Sequence, residues 1–365
     1  MKYSFSSEQD EFRSNLRRFL ADRAPVKETR RLMETDAGWE REGWKTLNAE
    51  LGLTAVRIPE EYGGHGFGFG EHCIVLEEMG RALVCAPYFA TTVLAAGAIL
   101  HAGSAERKAA LLPGIASGET VATLASVEDN GSWDAEACTL TASATGRLNG
   151  HKSFVLDGHT ADLIVVLARG PAGLAFYTVD GKPAGLTRRL LKTMDPTRKL
   201  ARLEFSDVEA TLLGSAAGCY ERVMIEAAVC LSNEMVGGAE RLREDALAYS
   251  MMRMQFGKAI ASFQSMKHKA ADMLMDVELA KSAAYYAAAA LDDGDDDIAM
   301  TASLAKACAS DAYSQTATHA IQIHGGIGFT YDNDTHLWYK RAKSSDVLFG
   351  DAFCHREKMM QNWAA

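Results

Sequence analysis

Residues 253–264 of this 365-residue chain read Arg-Met-Gln-Phe-Gly-Lys-Ala-Ile-Ala-Ser-Phe-Gln, an arginine and a Gln-Phe-Gly turn between two long helical patterns. Residues 322–329 read Gln-Ile-His-Gly-Gly-Ile-Gly-Phe, a second glycine turn, again after an alanine-rich helical run. Glycine lets backbone N–H groups come close to a ligand, and an arginine adds a charge that does not titrate near neutrality. Together, Arg253, Phe256, Gln322, Gly325 and Gly326 offer what a dinucleotide pyrophosphate needs: a fixed cation and exposed backbone N–H groups. The competing reading makes Arg253 a surface salt-bridge partner and His324 a packed core or turn histidine.

The elements that must position these residues fall into three blocks. Ser7 with Asp10 reads as a helix-capping pair, after which Phe12, Leu16, Phe19 and Leu20 share one helical stripe. Helical patterns dominate to about residue 118, interrupted by a glycine-rich loop over residues 57–70. Then come short β-rich runs at 121–127, 140–143, 153–156, 163–167, 174–179 and 200–205, punctuated by glycine, proline and aspartate as in a small barrel or sandwich. Around 213–218 the pattern returns to helix. The expected organisation is a helical domain over 1–118, a β domain over 119–213 and a helical domain over 214–365, mainly α with a small β domain. The acidic run 292–297 lacks the spacing of a calcium loop and reads as a solvated turn, and no metal site is expected.

A formal charge of −10 argues against nucleic-acid binding, so an anionic ligand must meet local positive charge. Seven cysteines lie scattered without CxxC or metal-like spacing, which points to reduced thiols. The first ten residues lack a signal-peptide core, and no later segment runs to about 18 uncharged apolar residues. A soluble, cytoplasmic protein without membrane association is expected.

In their order and separation, the two turns resemble those of the C-terminal helical domain of the acyl-CoA dehydrogenases. The loop containing Pro59, Glu60, Glu61, Tyr62, Gly63 and Gly64 is similar to one at the same place in that family. The resemblance covers essentially the whole chain. It implies a helical N-domain, a β barrel or sandwich and a C-terminal four-helix bundle, with FAD as cofactor and an acyl-CoA thioester as substrate. It also implies an electron-transfer flavoprotein as electron acceptor and a homo- or hetero-oligomer of dimeric or tetrameric type. In the family the two turns reach across a subunit interface to the neighbour's FAD.

Two departures from the family pattern concern the chemistry. Removing an α proton while a hydride leaves the β carbon requires a carboxylate base in a dry pocket. The family's usual glutamate follows the second glycine turn, where this chain has Phe349. The alternative family position, counted back from Phe256, falls on Ala227. Glu234 shares a helical face with Ala227, Leu231 and Gly238 and is the leading candidate base, in a pattern similar to sterol-side-chain members. The competing reading pairs it with an arginine or places it at an interface. Asp351, Glu226 and Glu240 are weaker candidates. In the β domain, the family's aromatic-x-Thr/Ser triplet is Phe154-Val-Leu here, so the ring remains and the hydroxyl is lost. Val127 replaces the usual threonine before Glu128, leaving Ser126 or Ser132, or backbone N–H groups, to contact the flavin. Lys152 reads as a strand-turn lysine.

The expected reaction is FAD-dependent α,β-dehydrogenation of an acyl-CoA. The small side chains of Ala227 and Ala228 suit a bulky, branched or sterol-derived chain. A non-catalytic subunit that completes another chain's FAD site is the main rival, and a flavin oxidase is a third.

Overall fold

The computed structural model describes residues 5–363. The first helix, α1 (Ser7–Arg23), is capped by Ser6: its hydroxyl accepts the Gln9 N–H, and the Gln9 side chain accepts the Ser6 N–H. The capping pair thus sits one residue before Ser7 and Asp10, because the reciprocal box needs a side-chain acceptor three residues on, which Gln9 supplies to Ser6. Helices α2 (Val26–Met33), α3 (Arg41–Leu51), α4 (Phe69–Ala82), α5 (Ala96–Ala102) and α6 (Ala105–Ala116) follow.

Eight strands come next: β1 (Ala122–Ala125), β2 (Thr141–Ala142), β3 (Arg147–Leu156), β4 (Leu163–Gly170), β5 (Gly173–Asp180), β6 (Leu186–Leu190), β7 (Leu200–Glu209) and β8 (Thr211–Ser215). They form one sheet in the order β6-β7-β3-β2-β4-β5-β8, with β1 parallel to β4. Strand β4 is a continuous apolar run, buried over its first six residues, as expected for a strand paired on both sides. Strands β6 and β8 end the order, and their polar residues hide them from a search for apolar runs.

Helix α7 (Cys219–Met252) leads into a short hairpin of β9 (Met254–Gln255) and β10 (Lys258–Ala259). Helices α8 (Gln264–Asp293), α9 (Ile298–His324), α10 (Thr335–Val347) and α11 (Ala352–Trp363) complete a mainly helical chain with a β domain. No helix among the described residues is long and apolar enough to cross a membrane.

The chain divides into two compact units, one of Met1–Thr29, Phe69–Val84 and Ala228–Ala365, the other of Arg30–Gly68 and Cys85–Ala227. Within the first, α4 and α7 touch backbone to backbone. A Cβ on Gly80 would lie 2.0 Å from the Glu234 carbonyl oxygen, and one on Gly237 would lie 1.9 Å from that of Glu77. Helix α1 clamps α4 through Arg13 with Glu77 and Arg17 with Glu78. Asp292, expected in a solvated turn, accepts the N–H groups of Phe69 at 2.7 Å and Gly70 at 2.9 Å, capping the start of α4. In the second unit, Trp44 donates to the Gly118 carbonyl and Thr54 to that of Ala116, fixing α3 and the turn after it against the end of α6.

Candidate functional site

The two glycine turns lie in the first unit. Hairpin β9–β10 closes through Phe256 and Gly257, with φ of 53° and 77°. Two consecutive left-handed residues are what a tight hairpin turn of this twist requires. A side chain other than glycine in that conformation costs about 1–2 kcal/mol, yet Phe256 recovers no burial, being 91% exposed. Arg253 precedes the hairpin and is exposed, its N–H donating to Tyr249 and its carbonyl accepting from Ile260. At the end of α9, Gly325 has φ 66° and ψ −146°, a backbone that belongs to glycine. A Cβ on Gly257, Gly325 or Gly326 would meet nothing within 4 Å, so packing inside the chain does not demand glycine there. The Tyr249 and His324 rings stack with centroids 4.3 Å apart, which sets the last turns of α7 beside the end of α9. Gln322 is exposed on that same end.

The residues expected in the β domain lie in the second unit. Phe154 sits in a β-bulge: Lys152 pairs with Leu203 and Val155 with Ala201, so β3 carries one residue more than β7. Its φ is 57° and its ring is 42% exposed. Leu156 is buried, and its carbonyl accepts the Thr123 hydroxyl. Ser126 and Ser132 are half-buried, Ser132 Oγ accepting the Asp134 N–H at 3.2 Å. Lys152 is no turn lysine. It lies inside β3, fully buried, with Nζ 2.9 Å from both the Ser126 carbonyl and Glu128 Oε1 and 3.2 Å from Cys138 Sγ. Burial raises the Glu128 carboxyl, but the Thr139 hydroxyl, the Leu140 N–H and Lys152 outweigh it and bring it to about 2.

The four acids fare differently. Glu234 is inward and 6% exposed, with Oε1 3.0 Å from Arg341 Nη1, and that guanidinium is equally buried. Glu226, in the second unit, faces Arg57 at 2.8 Å, His101 at 2.7 Å and Arg222 at 3.2 Å. Burial raises its carboxyl, yet His101 and the two arginines hold it below the usual range. Glu240 is likewise held low against its own burial by Arg243 and Lys281. Asp351 is exposed and caps α11 through the Cys354 N–H at 2.8 Å.

Phe349, where the family resemblance leads one to expect a glutamate, is 3% exposed with φ 61°, and Gly350 follows at φ 104°. The turn is tied from within. Lys306 donates to the Asp346 and Gly350 carbonyls, each at 3.0 Å, and His355 to that of Phe349 at 3.2 Å. Burial lowers Lys306 to about 8 and His355 to about 3. The sequence reading missed Lys306, His355 and Arg341. A lone lysine in the alanine-rich stretch of α9 was the one available signal.

The family model described as "Acyl-CoA dehydrogenase, N-terminal domain" matches residues 6–119, and that described as "Acyl-CoA dehydrogenase, C-terminal domain" matches residues 219–363. Acyl-CoA dehydrogenase IpdE2 of Mycobacterium tuberculosis is 32% identical over 93% of this chain and 92% of its own length. The chain belongs to the acyl-CoA dehydrogenase family. Among solved structures, the Tcur3481-Tcur3483 steroid ACAD, as a variant, superposes with a TM-score of 0.89 at 28% identity over 98% of each chain. Butyryl-CoA dehydrogenase from Megasphaera elsdenii gives 0.92 at 25% identity over the full length of both chains.

The acyl-CoA dehydrogenases are oxidoreductases, and the family implies FAD. In this acyl-CoA dehydrogenase the first unit's donor set fits a pyrophosphate: an exposed arginine, an exposed glutamine, and glycines with open space where a Cβ would stand. In the second unit, an exposed aromatic ring at a bulge, two residues after the lysine that binds the Ser126 carbonyl, is chemically suited to lie against an isoalloxazine.

Proposed function

We propose that this chain is a subunit of an FAD-dependent acyl-CoA dehydrogenase that oxidises the Cα–Cβ bond of a bulky, steroid-type or branched acyl-CoA, with an electron-transfer flavoprotein as the onward acceptor. The observation that carries the reading is the exposed left-handed turn at Phe256 and Gly257, set beside Arg253 and alongside the open Gly325 and Gly326. The Phe256 ring meets Phe263 at its edge yet stays exposed, and a strained turn with an uncovered aromatic side chain suits a place where a ligand or another subunit covers it. The substrate class is supported by the name of one relative, a steroid ACAD; Ala227 and Ala228, expected to leave room for such a chain, are both buried in the structure.

FAD, when bound, supplies the acceptor for the hydride that leaves Cβ. Arg253, Phe256, Gln322, Gly325 and Gly326 would hold the pyrophosphate of a neighbouring subunit's FAD, and Phe154, Ser126 and Ser132 would face the ring of the FAD that this chain's second unit binds. The Cα proton needs an acid residue, and two readings differ on its source. In the first, Glu234 accepts it, the carboxylate giving up its contact with Arg341 as substrate enters. In the second, Glu234 stays tied to Arg341 and the chain completes the FAD site of a partner subunit that brings the base. The 3.0 Å buried pair favours the second, since breaking such a pair costs about 3–5 kcal/mol. The buried, apolar Phe349 favours it as well.

Flavin content of the purified chain, followed by anaerobic mixing with butyryl-CoA and with branched and polycyclic acyl-CoA thioesters, tests the proposal. If Glu234 is the base, wild-type flavin bleaches with the bulky thioesters, and Glu234→Gln keeps its flavin but bleaches slower by about 10²–10⁴-fold. If the chain is a supporting subunit, wild type alone is not reduced. Turnover of the mixed assembly then survives Glu234→Gln within about twofold, since glutamine still bonds Arg341. No FAD uptake with or without a partner, and no reduction by any thioester, would sink both.

A further inference from the structure

Residues 126–129 are held one after another by two adjacent residues of β3. Lys152 Nζ donates to the Ser126 carbonyl at 2.9 Å, and the Ser153 N–H to the Val127 carbonyl at 2.8 Å. Lys152 Nζ also meets Glu128 Oε1 at 2.9 Å, and Ser153 Oγ donates to Asp129 Oδ1 at 2.5 Å. Beyond this strap, Tyr220 at the start of α7 donates to the Trp133 carbonyl at 3.2 Å. Glu128 in turn accepts the N–H groups of Thr139 at 2.8 Å and Leu140 at 2.9 Å, so the ammonium is one corner of a closed buried network.

A core that needed only cohesion could fill this volume with apolar side chains, because a buried ion pair is weak evidence of stability for its own sake. What the pair fixes here is a spacing. The residue after Ser153 is Phe154, whose left-handed backbone turns its ring outward at the bulge, while the strap tied to Lys152 and Ser153 carries Ser126 and runs on to Ser132. The same two residues therefore set the distance between the ring and the strap.

We propose that Lys152 is a positioning residue for the flavin, its buried ammonium holding the 126–129 strap in register with the Phe154 ring so that both meet the isoalloxazine in one geometry. The inference rests on the reading of Ser126, Ser132 and Phe154 as flavin contacts. A purely structural Lys152 would change the melting temperature and leave the bound flavin's spectrum and potential alone.

The experiment uses the full chain, with its partner subunit if flavin uptake needs one, and FAD itself as probe. Lys152→Met combined with Glu128→Gln removes both charges together, leaving no carboxylate stranded. The expected result is a cooperatively melting protein whose FAD Kd rises about tenfold, the equivalent of one or two misplaced hydrogen bonds. A shifted flavin absorption band and a shifted midpoint potential accompany it. A folded double variant with wild-type affinity, spectrum and potential overturns the proposal. Should the double variant not fold, Lys152→Gln decides, because its shorter amide keeps a donor beside Glu128 but loses the ammonium's tie to the Ser126 carbonyl: an FAD Kd raised about threefold with a displaced band supports the proposal, and an unchanged one overturns it. Wild-type chain that takes up no FAD in either setting sinks the flavin reading and the inference with it. Wild type that binds FAD, beside a variant that binds it identically, sinks the inference alone.

Discussion

Phe256 with Gly257 and Phe349 with Gly350 are the same dipeptide in the same left-handed backbone, with φ of 53° and 77° in one and 61° and 104° in the other, yet their surroundings are opposite. Phe349 is 3% exposed and Phe256 is 91% exposed. Lys306 and His355 bond the carbonyls around the first, and a Cβ on Gly350 would meet Cys354 Sγ at 3.2 Å. A Cβ on Gly257 would meet nothing within 4 Å. Burial and internal hydrogen bonds offset the strain in one turn. In the other the β9–β10 ladder and an edge contact with the Phe263 ring, 6.0 Å away, hold the turn without burying the Phe256 side chain, which leaves that surface for a ligand or a second subunit. Strain alone does not mark a functional turn; strain in a turn that leaves its aromatic side chain exposed points to one.

Truncating the buried ring tests this contrast most strongly. Phe349→Ala should destabilise the protein by about 3–5 kcal/mol, since it empties a packed site while leaving the backbone strain in place. Urea unfolding with an unchanged m-value checks it. A loss below about 1 kcal/mol would mean that the turn is not held by its aromatic side chain, and the contrast with Phe256 would collapse.

The next effect is one of pH. Burial, with help from Lys306 and Lys358, lowers His355 to about 3 from an ordinary 6.5. A histidine depressed in the folded state binds fewer protons there than when unfolded. Stability is therefore complete above about pH 6.5 and lost as pH falls toward 3, with a slope approaching about 1.4 kcal/mol per pH unit. Glutamine at 355 can still donate to the Phe349 carbonyl but does not titrate. His355→Gln should flatten the decline between pH 6.5 and the range where carboxylates begin to protonate, as read from urea midpoints at several pH values. Lys306 acts in the same sense at the alkaline end. It is lowered by burial to about 8 from 10.5, so its ammonium opposes folding below pH 8, and stability rises from there toward 10.5. Equal slopes in wild type and variant would remove His355 from the ties of the buried turn.

What could be read from the chain before its structure divides along the same line. Local pattern sufficed for the helix, β, helix order, for the loop over 57–70 and for the turns at 253–257 and 322–326, because helix period, apolar runs and glycines are local signals. It failed where a side chain's meaning depends on a distant partner. Glu234 meets Arg341 from 107 residues away, and Lys306 reaches the Gly350 carbonyl from 44. Lys152 stands two residues after Gly150 and so reads as a strand-turn lysine. In fact Gly150 lies inside β3 at φ 132°, where a Cβ would stand 3.1 Å from Leu140 Cα, and the lysine points into the core. The polar edge strand β6 escaped for a related reason, its pairing with β7 being a property of the sheet and not of its composition.

Phe256→Gly should have the smallest effect on stability and the clearest one on function. Glycine relieves a left-handed strain of about 1 kcal/mol in the folded chain but adds freedom to the unfolded one. These terms nearly cancel, and with no burial to lose, urea midpoints should agree within about 0.5 kcal/mol. If that exposed ring instead lies against a cofactor or a neighbouring subunit, FAD affinity in the assembled protein should fall at least about tenfold, because a desolvated aromatic contact is worth more than 1 kcal/mol. The two readouts separate cleanly: a stability loss with unchanged FAD affinity would make the hairpin a structural element of this chain, and the difference between the two Phe-Gly turns would then be one of burial only.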